Sequence, residues 1–494
     1  MGAEVTLAVV GGGIAGLAAA YRALEHLPAH RIALLEREAR LGGKIRTEQS
    51  DGFLLEAGPD SLALSNPWAA ALCRDLGLQE ELRFAKPEFA RLYIKRDGRL
   101  HPLPWGIAAS LQETLRALVK SELLSTAGLL RAACEYFLPP RREPGDESIA
   151  NFFSRRFGGE FYRWLVEPLA AGIYGGNAPE LSLEAALPEL RKMELHYGSV
   201  LGGLLWSGVD HGAGRSAPAP RIATLKGGLE RLVKALEQRL RGTVLLNSTG
   251  VTRLVRREGR YALFLTNGGS LTADAVVLAT PAPAAAAMVE DLDPALADLL
   301  RTIRFAPSVV VSVAFHEERI GHGFDGYGYL CPRAEGGPVR AVTWMSNKFP
   351  DRTPAGAVLI RASMREPCSE SLEARGGELV LRAVLAELRG TLGIRSEPLF
   401  WRVHYWDRGI AQYAPGHRGK TKLIRERLLH HPGLYVAGSS YDGVGIPYCI
   451  ASGFRAADEA CGNPEPVLGR PGTGVLAAVP ERNLVRQADG IDGV

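Results

Sequence analysis

The sequence contains no uninterrupted apolar run near the roughly 18 residues that a membrane-spanning helix needs, so any membrane contact is expected to be peripheral. It also lacks a Lys/Arg block that could act as a basic arm, and a net charge of +4 over 494 residues supplies no field for wrapping nucleic acid. Cysteine is scarce. The six residues Cys73, Cys134, Cys331, Cys368, Cys449 and Cys461 form no C-x-x-C pair, which argues against a disulfide framework or zinc site and fits a reducing cytoplasm. His196, His211, His316, His322, His404 and His417 stand apart without metal-ligand spacing, and His430-His431 precede Pro432 in an expected loop. The apolar stretch from Val5 to Ala20 has no basic leader and is broken by Gly11, Gly12, Gly13 and Gly16, so it suits a strand and turn rather than an export signal. No internal repeat is visible.

What is present is a globular balance, with 46% hydrophobic and 23% charged residues, at a length that suggests about two or three domains. Val5–Val10 reads as a buried strand, Leu17–Leu27 as a helix and Ile32–Leu35 as a second strand, together a βαβ unit. Ser65-Asn66-Pro67 places a capping side chain before a proline at the first helical position, so a helix is expected toward Leu76, ending at Gly77. From Ala85 to Trp206 the pattern is mostly helical, as in Ser110–Phe137, where Leu111, Leu115 and Leu118 recur at helical spacing. Strand signals return at Val244–Leu246, Tyr261–Thr266, Ala275–Leu278, Val309–Phe315 and Ala357–Met364. A last strand, Leu434–Ala437, feeds a glycine-rich turn and the helix Ile450–Ala460, after which a Pro- and Gly-rich tail has weak periodicity.

The chemistry begins at Gly11-Gly12-Gly13-Ile14-Ala15-Gly16, a G-x-G-x-x-G pattern between the first strand and its helix. Glycine lets the backbone turn tightly, approach a pyrophosphate and pack helix on strand, and the free N–H groups of the helix N-terminus favour an anion. Glu36 ends the second strand 20 positions beyond Gly16, where an acid accepts hydrogen bonds from a ribose diol. The fold class is therefore α/β, with a Rossmann-type, doubly wound dinucleotide-binding domain. Arg40-Leu41-Gly42-Gly43-Lys44 and the turn Glu56-Ala57-Gly58-Pro59-Asp60-Ser61 follow, and a nicotinamide dehydrogenase has no need of either.

With these segments, Gly172-Ile173-Tyr174-Gly175-Gly176, Lys226-Gly227-Gly228-Leu229, Gly443-Val444-Gly445-Ile446 and Cys449-Ile450-Ala451-Ser452-Gly453 appear in an order and spacing that resembles the porphyrinogen oxidases, the protoporphyrinogen and coproporphyrinogen III oxidase family within the amine oxidase group of FAD enzymes. The resemblance spans roughly residues 5 to 462. It implies non-covalent FAD in contact with Gly11 to Gly16, Glu36, Gly42, Gly43, Lys44, Gly58, Pro59, Asp60, Ser61, Val251, Trp406, Val444, Gly445 and Ile446. The last turn would aim helix N–H groups at the flavin N1/O2 edge, where negative charge develops on reduction. Cys449 beside Tyr448 reads as a buried thiol rather than a covalent flavin link.

With the helical pattern and the weakly periodic tail, the resemblance gives a discontinuous FAD-binding domain (1–84, 207–281 and 405–462), a mostly helical domain (85–206), a substrate-binding sheet domain (282–404) and, from composition, an unstructured tail (463–494). It implies hydride transfer from a porphyrinogen to flavin N5, reoxidation by O2 with release of hydrogen peroxide, and no obligatory catalytic side chain, because the cofactor does the redox step. Arg91, within the cluster Arg91, Lys95, Arg96 and Arg99, is the candidate grip on substrate carboxylates, and Gly175 is a further candidate substrate-binding residue; a solvated charge face is the bland alternative for the basic cluster. Further expectations are a homodimer, cytoplasmic location with peripheral attachment to the inner face of the cell membrane through the helical domain, and a ferrochelatase partner. Leu92 rather than arginine before Tyr93, Ala411 and Tyr448 depart from the family pattern and leave two propionates or four undecided. An amine oxidase or carotenoid desaturase, and a non-catalytic FAD- and porphyrin-binding carrier or assembly factor, remain as alternatives.

Overall fold

A computed structural model describes residues 3–104, 111–176, 178–210, 222–320, 324–365 and 376–463. The expected tail from residue 464 onward, Cys368, His211, His322 and the side chains of Leu111 and Leu115 lie outside the described residues.

The N-terminal strand Ala3–Val10 is the centre of the first sheet. Ile32–Leu35 lies parallel on one side of it and Ser270–Leu278 parallel on the other. Val244–Leu246 extends the sheet beyond Ile32–Leu35, and Leu434–Val436 pairs in parallel with the C-terminal half of Ser270–Leu278. The antiparallel strands Arg260–Leu265 and Val251–Arg257 complete it. Helices cover its faces, so the inner strands are buried on both sides and read as unbroken β-branched and leucine runs. Leu7, Leu34 and Val277 are fully buried there, each contributing on the order of 1.5–3 kcal/mol of hydrophobic stabilisation.

The helix Ile14–Ala23 follows the first strand and packs against the long final helix Ile446–Ala460. The contact is close because Gly453 faces the backbone of Ala15, where a β-carbon would collide with the Ala15 carbonyl oxygen. Asn66 caps the helix Pro67–Asp75 by accepting the Trp68 N–H at 3.2 Å, and the chain leaves that helix through Gly77 at φ +73°, as the sequence suggests.

The second large sheet runs in the order Phe400–Gln412, Arg304–His316, Ala357–Met364, Val339–Trp344, Gly328–Leu330, Leu92–Arg96 and Arg99–Pro102. One face packs on the helix Gly377–Leu392. The opposite face turns toward the first sheet and the helical segment. Three expected boundaries differ from this arrangement. The hairpin Leu92–Pro102 pairs with the second sheet instead of joining the helices. Phe400–Gln412 crosses residues 404 and 405 as one strand, because its pairing with Arg304–His316 continues from Phe400 to Gln412 with a single irregularity. The helices Ala282–Val289 and Pro294–Arg301 share a core with the first sheet, since their alanine and leucine faces cover Val276 and Leu278.

The remaining helices enclose a separate apolar core around Phe152, Phe157, Phe161 and Leu165. The stretch expected as Ser110–Phe137 is two helices, Leu111–Lys120 and Thr126–Ala133, then a short turn of 3-10 helix; Ser125 caps the second helix by accepting the Gly128 N–H at 3.0 Å. Leu118 is buried, which supports a core-facing role at that position of the leucine pattern. Within this domain the helix Ile149–Phe157 carries a wholly buried Arg156, held by Glu135 and by the carbonyls of Leu138, Pro139 and Gly198. Among the described residues no helix is long and apolar enough to cross a membrane.

Candidate functional site

The glycine fingerprint forms the turn that its sequence requires. Gly11 adopts φ +109°, unfavourable to a side chain, and donates its N–H to the Leu35 carbonyl at 2.8 Å. A β-carbon on Gly16 would collide with the Gly11 carbonyl oxygen, so glycine there lets the helix sit against the strand. Gly13 differs: a β-carbon there would meet nothing within 4 Å. Gly13 also starts the helix without a side-chain cap, which leaves first-turn N–H groups available to a ligand.

Glu36 stands at the rim of this turn. Its carboxylate accepts the Gly12 N–H at 2.6 Å and the Glu38 N–H at 2.9 Å, so the acid is oriented before any ligand arrives. Thr249 donates its N–H to the Glu36 carbonyl at 2.8 Å, which brings Val251 to the same end of the sheet. Gly42 donates to the Gly12 carbonyl at 2.8 Å, and the Arg40 guanidinium holds the following loop through the carbonyls of Leu41, Gly43 and Ile45.

That loop delivers Lys44 to a largely desolvated position over the Phe305 ring, 5.1 Å from its centroid. Lys44 forms no ion pair among the described residues, and burial depresses its ammonium to about 8. A buried cation of this kind suits an electron-rich or anionic ligand group. The adjacent turn is tightly braced. A β-carbon on Gly58 would collide with the Lys44 carbonyl oxygen, Trp406 donates its indole N–H to the Ala57 carbonyl at 2.8 Å, and Arg361 donates to the Gly58 carbonyl at 2.5 Å. Burial would raise the Asp60 carboxyl, but Lys348 at 3.1 Å and Arg361 at 3.8 Å override it and hold the group well below the usual carboxylate range. Glu56 anchors the turn from beneath through Arg352 at 3.2 Å and the Leu229 N–H at 2.8 Å.

The final helix contributes the other half. Gly445 caps it with no side-chain hydrogen bond, and Pro447 occupies its first turn, so N–H groups there remain available. The Tyr413 hydroxyl sets the preceding turn by accepting the Gly443 N–H at 2.8 Å and donating to the Ser439 carbonyl at 2.7 Å. Cys449 is buried behind it, its thiol pushed up to about 12 by desolvation, which leaves it protonated and inert at neutral pH.

These residues fit FAD. Gly11 to Gly16 and Glu36 would hold the pyrophosphate and ribose of the adenosine half, with Val251 beside them. Lys44, the Gly58-Pro59-Asp60-Ser61 turn, Trp406 and Val444-Gly445-Ile446 would surround the flavin half, joined to the first group through Gly42 and Gly43.

The substrate-side candidates separate in space. Gly175 takes φ +59° at the end of the helix Glu167–Tyr174, against the second sheet, where a β-carbon would approach Ile410 Cδ1 to 2.8 Å. Arg91 is exposed at the sheet rim and engaged by Asp325 at 3.2 Å, which also accepts the Tyr93 hydroxyl at 2.8 Å. Strand alternation disperses the rest of the basic cluster. Lys95 pairs with Glu387 at 2.9 Å on one face, whereas Arg96 lies over Trp164 and 3.5 Å from Glu160 on the other. The structure therefore does not bring the four basic residues together as an open clamp.

Lys348, Arg361 and Tyr413 support the cofactor site without any sequence signal, because long-range sheet pairing alone brings them to it. Among the described residues the cysteines are unpaired and no group of three potential ligands could hold a metal. His417, His404 and His431 bond to the Tyr441 carbonyl, Glu48 and Asp293, as ordinary structural histidines do.

The family model for flavin containing amine oxidoreductases matches residues 14–461. A coproporphyrinogen III oxidase of Bacillus subtilis (strain 168) is 33% identical, covering 92% of this chain and 97% of the relative. The Homo sapiens protoporphyrinogen oxidase is 32% identical over 92% of this chain and 98% of its own. A solved structure from Exiguobacterium sp. 255-15, described as a provisionally assigned protoporphyrinogen oxidase, superposes with a TM-score of 0.80 at 30% identity, covering 92% of this chain and 98% of that one. Cyclohexylamine oxidase from Brevibacterium oxydans IH-35A, at 16% identity and a TM-score of 0.63 over 93% of this chain and 98% of its own, shares the fold. This chain is an FAD-dependent oxidoreductase and belongs to the flavin containing amine oxidoreductase family.

Proposed function

We propose that this protein oxidises a porphyrinogen to the corresponding porphyrin in haem biosynthesis, with FAD held non-covalently and O2 as the electron acceptor. The observation that carries the reading is the match to porphyrinogen oxidases along nearly the whole chain, 33% over 92% for the Bacillus subtilis relative, together with an intact cofactor cradle. Bound FAD supplies hydride acceptance and electron delivery to dioxygen, which is reduced to hydrogen peroxide. The chain supplies position. Glu36 and the glycine turn would hold the adenosine half, the uncapped start of Ile446–Ala460 would offer N–H groups to the reducible half, and Lys44 would add a cation in a desolvated setting. Leu330 and Ile410, packed against Gly172 and Gly175, offer the substrate an apolar wall.

Purified yellow protein would be assayed on coproporphyrinogen III and protoporphyrinogen IX, with porphyrin fluorescence and oxygen uptake followed together. Porphyrin formation with peroxide is the expected result, and the ratio of specificity constants identifies the preferred substrate. A flavin-loaded protein inert toward both would overturn the reading in favour of an amine oxidase, a carotenoid desaturase or a non-catalytic carrier.

Peripheral membrane attachment belongs to the same reading. It is supported by exposed apolar side chains on the helical domain, among them Phe137 and Trp206 at 82% and 60% exposure. Sedimentation with anionic lipid vesicles, lost on substituting both by serine, is the expected outcome. Homodimer formation and product transfer to a ferrochelatase complete the proposal; light scattering and a pull-down with purified ferrochelatase test them.

A further inference from the structure

A cavity of about 750 Å³ opens where the start of the strand Arg304–His316 and the end of Phe400–Gln412 meet the helix His417–Leu428 and the residues that follow the Gly172–Gly176 turn. Arg304, Phe305, Ala306, Gln412 and Lys420 line it, and Glu180 is the one carboxylate among its lining residues.

Strand register ties this cavity to the substrate side of the site. Arg304 pairs with Gln412 and Ala306 with Ile410, so these four side chains share one face of the two-stranded ribbon. That face meets the Gly175–Gly176 turn. A β-carbon on Gly175 would lie 2.8 Å from Ile410 Cδ1, and one on Gly176 would lie 2.8 Å from the Ala306 β-carbon. Gln412 fastens the same turn to the strand by donating to the Tyr174 and Ile410 carbonyls at 3.1 and 3.2 Å. Phe305, between Arg304 and Ala306, carries Lys44 over its ring. Arg304 therefore follows the apolar wall of Ile410 by one strand repeat, about 7 Å, which is the reach of a short carboxylate side arm on a ring seated against that wall.

The charge balance of the cavity is positive. Arg301 is neutralised by Glu290 and by Asp298 at 2.9 Å, whereas Arg304 and Lys420 enter no ion pair among the described residues. A guanidinium matches a carboxylate with two parallel hydrogen bonds, and an ammonium beside it adds a mobile point charge.

We propose that Arg304 and Lys420 bind a carboxylate side arm of the macrocycle in this cavity, and so set the preference for an anionic substrate. This inference rests on the porphyrinogen reading.

The test titrates FAD-loaded wild type, Arg304→Gln, Lys420→Gln and the double variant with coproporphyrin III and with its tetramethyl ester, which keeps the ring but removes the charges. Neither side chain is buried, so the variants should fold and retain FAD. Wild type is expected to prefer the acid. Each single substitution should weaken acid binding about 3- to 10-fold and the pair about 10- to 100-fold, with ester binding unchanged. In turnover the double variant should raise KM with kcat nearly preserved. Arg382→Gln, on the exposed side of the helix Gly377–Leu392, controls for the loss of net charge and should leave both ligands unaffected. Unchanged acid binding by the double variant overturns the inference, as does an equal loss for acid and ester, or a loss in Arg382→Gln that matches Arg304→Gln. A wild type that oxidises no porphyrinogen instead overturns the functional reading on which the inference rests.

Discussion

The Tyr413 hydroxyl accepts the Gly443 N–H at 2.8 Å, and so fixes the turn that leads into the uncapped helix Ile446–Ala460. The same oxygen donates to the Ser439 carbonyl, and the ring stacks on His417 with centroids 3.9 Å apart. Tyr413→Phe keeps the ring and removes both hydrogen bonds, leaving a buried donor and acceptor unsatisfied. The expected cost is about 1–3 kcal/mol in denaturant unfolding, together with a shifted reduction potential of bound FAD. A variant with unchanged potential would show that the turn is held by other contacts.

Glu36 is expected to govern cofactor affinity through hydrogen bonds to the ribose. Glu36→Ala should weaken FAD binding about 10- to 100-fold, read by titrating apoprotein with FAD and following flavin fluorescence. Glu36→Gln can still accept the Gly12 N–H but loses the charge, and should fall between the two.

The crossing of the first and last helices leaves no room for a methyl group at Gly453, which faces the Ala15 backbone. Gly453→Ala should separate the helices that carry both halves of the cradle, destabilising the fold by about 1–3 kcal/mol and reducing flavin retention. Thermal unfolding of apo and FAD-loaded protein measures both effects. A substitution at exposed Gly390, which has free space around it, is the matched control.

Lys44 produces a pH dependence of defined sign. Desolvation lowers its ammonium to about 8 in the folded protein, against about 10.4 in an unfolded chain. Between these values the unfolded state holds more protons, so this group makes the apoprotein gain stability as pH rises from about 8 toward 10.4; the gain is lost as pH falls through 8. Lys44→Met should remove this component from the difference in melting temperature across that window. Identical slopes for both proteins would mean that Lys44 is not desolvated in solution.

The buried pair Glu56–Arg352 supports the Glu56–Ser61 turn at 3.2 Å. Arg352→Met would strand a carboxyl that burial already pushes up to about 7 against the pull of Arg352, at a cost of about 3–5 kcal/mol in chemical denaturation. Replacing both partners by methionine and leucine should recover most of that loss, as a double-mutant cycle would record.

The sequence by itself determined the cofactor half of this protein. Gly11 and Gly16 are demanded by local backbone geometry, and Glu36 follows them within a single βαβ unit, so short-range chemistry makes this cradle legible. Asn66 and Pro67 announced their helix for the same reason. The substrate side was decided only by tertiary structure. Arg91, Lys95 and Arg96 are neighbours in sequence, yet a strand sends alternate side chains to opposite faces, and each meets a different carboxylate. On the cofactor side, Lys348 and Arg361 reach the Asp60 turn and Tyr413 the Gly443 turn, all from the second sheet and the segments just beyond its strands. No local pattern marks these three, because their positions depend on sheet register and on which face of the sheet meets the flavin domain.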